Sequence, residues 1–167
     1  MIANYLKVAL RNFLRKHGEG KAPRPTSLEL YAELKAVTPP AQRELLADLL
    51  ERNTFWDVRT RKASARKLGN QWEVTLDLSA LKESIDRQGR ISPRPLHETL
   101  EIGVYGPANG NGPGKLLYLA PHHLRLGEQR ITVTVPSQPA TAGVDPRHVF
   151  IDLERRNNLA PVQVGAP

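Results

Sequence analysis

Two hydrophobic periods divide the chain. Ile2, Leu6, Ala9, Leu10 and Phe13 recur at the spacing of one helix face. Arg11, Arg15 and Lys16 fall toward the end of that segment, where cations suit the helix dipole, and Gly18 stops it. A turn-prone linker follows over residues 18–25, GEGKAPRP. Thr26 and Glu29 then stand in capping-box positions, ahead of a second helix whose stripe is Leu30, Leu34 and Val37. Thr38-Pro39-Pro40 ends it and opens a third, faced by Leu45, Leu46, Leu49 and Leu50. Short connections predict that the three helices pack antiparallel.

Near Asn53 the period drops to two. A strand is expected from about Val58 to Leu68, with a turn at Gly69-Asn70. Trp72, Val74, Leu76 and Leu78 alternate with polar neighbours, the mark of a half-buried strand. Further strands are expected around Leu100–Val104, Leu117–Leu119, Ile131–Val135 and Val149–Leu153, with a Gly/Pro/Asn-rich connection over residues 106–114. The pattern predicts an α+β chain: a short antiparallel helical segment over residues 1–54, then an antiparallel immunoglobulin-like β-sandwich over 55–158. Residues 159–167 are expected to fray.

Composition narrows the function classes. Apolar residues are 40% of the chain, enough to build a core, so disorder is disfavoured. No run approaches the ~18–20 apolar residues of a membrane span, and the first residues lack the pattern of a signal peptide. This part is therefore expected to be soluble. The absence of cysteine removes disulfides, thiolate zinc sites and cysteine nucleophiles. The net charge of +7 permits an anionic partner without requiring one.

Motifs for chemistry are sparse. His97-Glu98 is followed by Thr99-Leu100-Glu101, so the second histidine of a helical H-E-x-x-H zinc site is missing. His122 and His123 are adjacent on a predicted strand and point to opposite faces, a poor chelate. No serine has a G-x-S-x-G context, and no Gly-rich phosphate loop precedes a helix. No catalytic residue, metal ligand or cofactor is assigned. The basic run Arg59, Arg61, Lys62, Arg66 and Lys67 is a candidate anion-binding strip. No aromatic residue interleaves it to stack on bases, which disfavours nucleic acid as a partner. Asp145-Pro146 reads as a shaped corner before the final strand.

Two stretches carry a family resemblance. LRNFLRKH (10–17) followed by PTSLELYAEL (25–34) resembles the helical end of the catalytic domain in aminopeptidase-N-like (gluzincin) zinc metallopeptidases. There a helix ending in YL or FL precedes a loop and a DLW-type helix, and Glu29, Leu30 and Tyr31 stand in that place. ITVTVP (131–136) with AGVDPRHVFIDL (142–153) resembles the C-terminal sandwich of bacterial members fused to an ABC-transporter permease, where an AGIDP…LIDL ending is habitual. Together the resemblance spans about residues 2–158. It implies a fragment of a longer bacterial membrane protein, with Met1 a supplied start. Zinc and the catalytic glutamate would lie in an upstream domain, and the present chain would be non-catalytic. Its partner would be that catalytic domain, and the leucine-rich helical face is also a surface for self-association. The rival reading is a free-standing basic module for nucleic acid or another anionic polymer.

Overall fold

The computed structural model describes residues 2–18, 20, 24–108, 110 and 114–165, excepting the side chains of residues 2–4. Parts of the 18–25 linker and of the 106–114 connection fall outside these. The chain forms two compact units, Met1–Asn53 and Thr54–Pro167.

The first unit holds α1 (Ile2–His17), α2 (Ser27–Val37) and α3 (Arg43–Leu50), the last entered through a 3₁₀ turn at Pro40–Gln42. Proline suits that first turn because its missing N–H would have no partner there. Glu29 reaches back to accept the Thr26 backbone N–H at 2.6 Å, so the capping box forms. The face α1 buries differs from the one its periodicity predicts. Ala9 is fully buried and Tyr5, Asn12 and Phe13 are half-buried, while Leu6 and Leu10 are exposed. The side chain of Ile2 lies outside the described residues. Lys16 bonds Glu33 of α2, and His17 lies 3.9 Å from Glu29. Lys16 and His17 thus lie toward α2, on the side of α1 that holds Ala9 and Phe13.

Among the described residues eight strands follow: β1 (Asn53–Leu68), β2 (Gln71–Ile85), β3 (Ile91–Pro93), β4 (Thr99–Tyr105), β5 (Leu116–His123), β6 (Gly127–Val135), β7 (Thr141–Val144) and β8 (Leu159–Val164). They form one sheet in the order β3-β2-β1-β8-β7-β4-β5, with β6 also on β2. The sheet is mostly antiparallel and curls strongly into a half-barrel. Its concave core is made by Trp56 and Val58 of β1, Val74, Leu76 and Leu78 of β2, Leu100, Ile102 and Val104 of β4, and Val144 of β7. In β1 the buried positions shift from even (Thr54 to Thr60) to odd (Ala63, Ala65) across exposed Arg61-Lys62, as one extra residue in a bulge would produce. Trp72 is half-buried and Trp56 fully buried.

Three expectations change. Residues 159–164 do not fray. They form β8, antiparallel to β7 at Leu159–Pro161 and parallel to β1 at Val162–Val164, so this strand joins the two wings of the sheet. That parallel pairing also departs from a purely antiparallel arrangement. Residues 149–153 are no ladder strand: apart from the isolated bridge Trp56↔Asp152 they run outside the named strands. Their alternation is inverted, with Phe150 and Asp152 inside and Val149, Ile151 and Leu153 outside. Buried carboxylate bonds outweigh the exposed aliphatics there, as the next subsection describes.

Candidate functional site

The segment from Asp145 to Leu153 folds into a corner pinned by two carboxylates. Asp145 and His148 adopt left-handed φ values of 43° and 53°, a conformation that Asp and His accept more readily than most side chains. The Asp145 carboxylate accepts the Val149 N–H at 2.9 Å and the Phe150 N–H at 3.2 Å, and its own N–H donates to Glu101 O at 2.8 Å. Burial pushes the Asp145 carboxyl above its ordinary range, and the two N–H bonds oppose that push. Asp152 accepts the N–H groups of Val58 (3.3 Å) and Glu154 (2.9 Å). In the orientation that satisfies it, the Asn158 amide donates to Val58 O at 2.9 Å and Asp152 Oδ2 at 3.1 Å. Trp56 donates its backbone N–H to Ile151 O at 2.9 Å, and its ring meets Phe150 at 5.1 Å.

With its polar groups turned inward, the corner presents aliphatic side chains to solvent. Val149 is 61% exposed, Ile151 44% and Leu153 77%. An apolar stripe held this rigidly is a surface for contact. Sequence reading placed the corner but missed its polarity. The available signal was Asp152, whose even-numbered phase with Phe150 sets a carboxylate on the aromatic face.

The basic strip is largely neutralised by its neighbours. Arg59 pairs with Asp57 at 2.5 Å, Arg61 with Glu128 at 2.8 Å and Arg66 with Glu73 at 2.6 Å. Lys62 and Arg66 border a shallow depression with Glu73, Thr75 and Gln163. Lys67 lies exposed near the end of β1, beyond the bulge that separates Arg59 from Arg66. The five cations therefore do not converge on one focus.

The histidines stand apart. Glu98, beside His97, is committed to Lys82. His122 meets the Tyr118 hydroxyl at 2.8 Å along β5, and burial lowers its pKa. Among the described residues no group of three or more His, Cys, Asp or Glu could hold a metal ion, and no helix is long and apolar enough to cross a membrane.

The ion pairs make acid stability predictable. Arg66 holds the Glu73 carboxyl below its ordinary value, Arg130 does the same for Asp77, and the Arg90 backbone and guanidinium N–H groups do so for Asp86. A depressed carboxyl contributes stability above its unfolded pKa and loses it as pH falls through the folded one. Asp145 has the opposite sign, favouring the native state while protonated and blunting the loss. The urea midpoint is expected to stay level near neutrality and to fall below about pH 4. Urea titrations across that range check it.

Compared with protein-family models, with curated proteins and with solved structures, the chain matches none.

Proposed function

We propose that this chain is the non-catalytic C-terminal region of a zinc aminopeptidase-like bacterial membrane protein of the permease-fused type, bracing an upstream peptidase domain and bordering its cleft. The observation that carries the reading is the pinned corner. The stretch that resembles the family's ending is the one that folds into an outward aliphatic stripe, which a neighbouring domain would cover. The leucine face of α3, where Leu49 and Leu50 remain exposed, supplies a second surface of the same kind. In this reading the two wings of the curled sheet act as the layers of an immunoglobulin-like sandwich. Zinc belongs to the upstream domain, and its catalytic chemistry with it.

The alternative, a free-standing module for nucleic acid or another anionic polymer, draws on the Arg59–Lys67 strip. Pairing of Arg59, Arg61 and Arg66 with carboxylates weakens it.

The purified chain is expected to retain no zinc on elemental analysis and to leave aminoacyl chromogenic substrates uncleaved. Stoichiometric metal with chelator-sensitive turnover would refute the reading. So would a reading frame upstream of this gene segment that lacks both H-E-x-x-H and membrane spans.

A further inference from the structure

We infer that the outward face of α1 is a docking surface for an anionic lipid bilayer. Leu6, Leu10 and Leu14 recur every four residues and so stack in one row along the helix. They are 47%, 40% and 63% exposed, while the flanking side of the same helix is buried through Ala9 and partly buried at Phe13. Lys7, Arg11 and Arg15 form the adjacent row, all exposed. Residues 2–17 contain no acidic side chain.

The charge pattern selects the occupant. Several arginines elsewhere in the chain lean on carboxylates, as Arg52, Arg59, Arg66, Arg130 and Arg147 do. Lys7, Arg11 and Arg15 stand in no such pair among the described residues. An aliphatic row beside a row of uncompensated cations is the arrangement that lies in a membrane interface, with leucines among acyl chains and cations at the phosphates. A protein interface more often centres on aromatic or arginine anchors seated in pockets. This row is aliphatic and lies on the convex surface of a helix. Lys7, Arg11, Arg15 and Lys16 make α1 too charged for a span, so the geometry is that of a helix lying flat.

The inference does not rest on the peptidase-region reading: residues 10–17 enter that reading by resemblance and enter here by exposure and charge, and the corner and α3 are untouched. Zinc content and upstream sequence test that reading; lipid partition tests this one.

The test is co-sedimentation of the intact chain with phosphatidylcholine vesicles, with and without phosphatidylglycerol. Partition is expected only where the anionic lipid is present, and it should fall as salt rises. K7Q/R11Q/R15Q should weaken partition by about a hundredfold, since each cation near the surface contributes about fivefold. L10E/L14E should weaken it by about tenfold or more. Both sets of positions are exposed, so circular dichroism should show unchanged helicity in each variant. Absence of partition overturns the inference, as does partition that L10E/L14E leaves intact. A dimer seen by light scattering that L10E/L14E abolishes, without lipid binding, also overturns it in favour of a second copy on the same face.

Discussion

Replacing Gly143 with alanine is expected to destabilise the β unit by about 3–5 kcal/mol, the combined scale of overpacking and of several lost hydrogen bonds. A Cβ at this position would sit 2.0 Å from the carbonyl oxygen of Asn158, 2.7 Å from Thr60 Oγ1 and 2.8 Å from the Cα of Leu159. Two of those atoms are backbone, so no side-chain rotation relieves the clash. The carbonyl in question is also a shared acceptor. Thr60 Oγ1 donates to it at 2.6 Å and the Val144 N–H at 3.0 Å. Pushing it away breaks both bonds in a buried setting and loosens the β7–β8 pairing at Gly143↔Leu159, the seam between the two wings. Urea denaturation followed by tryptophan fluorescence should show a large drop in midpoint. Gly103→Ala is the control. Its new Cβ meets the Pro146 ring at 2.7 Å and no backbone atom, and the ring gives only by repuckering, so a smaller loss of about 1–3 kcal/mol is expected. Equal losses for the two variants would show that the close approach at Gly143 is not the determinant.

Much of this architecture was legible from periodicity, and the failures share a cause. The switch from a helical to a two-residue period at Asn53 marks the start of β1. Thr26 and Glu29 announce α2 because a capping box is local chemistry, complete within four residues. β8 was missed because its reason for existing is distant. LAPVQV carries a proline and little alternation, and it is held by β1 almost a hundred residues earlier. The segment Val149–Leu153 alternates as a strand should, yet its apolar set faces outward. The pattern fixes the period and leaves the phase to tertiary partners, here the N–H groups that Asp145 and Asp152 accept from. The leucine row of α1 fails in the same way: the period is helical, but the buried side is centred on Ala9, with Tyr5, Asn12 and Phe13 half-buried around it. In the candidate strip the Arg59 partner, Asp57, is local and legible, whereas the carboxylates that pair Arg61 and Arg66 come from β6 and β2.

Lys82 shows what the same pattern could have revealed. It continues the inward phase of Val74, Leu76, Leu78 and Ala80, so a cation was due to point into the core. There it is 2% exposed, bonded to the buried carboxylate of Glu98 and 5.2 Å from the ring centre of Trp56. Its partner lies sixteen residues away past a turn, beyond what spacing can identify. Removing either charge breaks a buried ion pair, and Lys82→Met or Glu98→Leu is expected to cost about 3–5 kcal/mol. The double variant K82M/E98L should recover most of that, ending within about 1–2 kcal/mol of the parent, because it removes the desolvation penalty along with the attraction. The double-mutant cycle is read by urea denaturation, and a shift in Trp56 emission should accompany loss of the cation above its ring. Additive losses in the double variant would contradict a coupled pair. The recovered stability would also locate the pair's role. A bond that can be replaced by packing contributes register more than energy, fixing the end of β2 against the segment that leads into β4. A K82M/E98L protein that regains its midpoint but exchanges its β2 and β4 amides faster would show that the ion pair selects one register of the sheet.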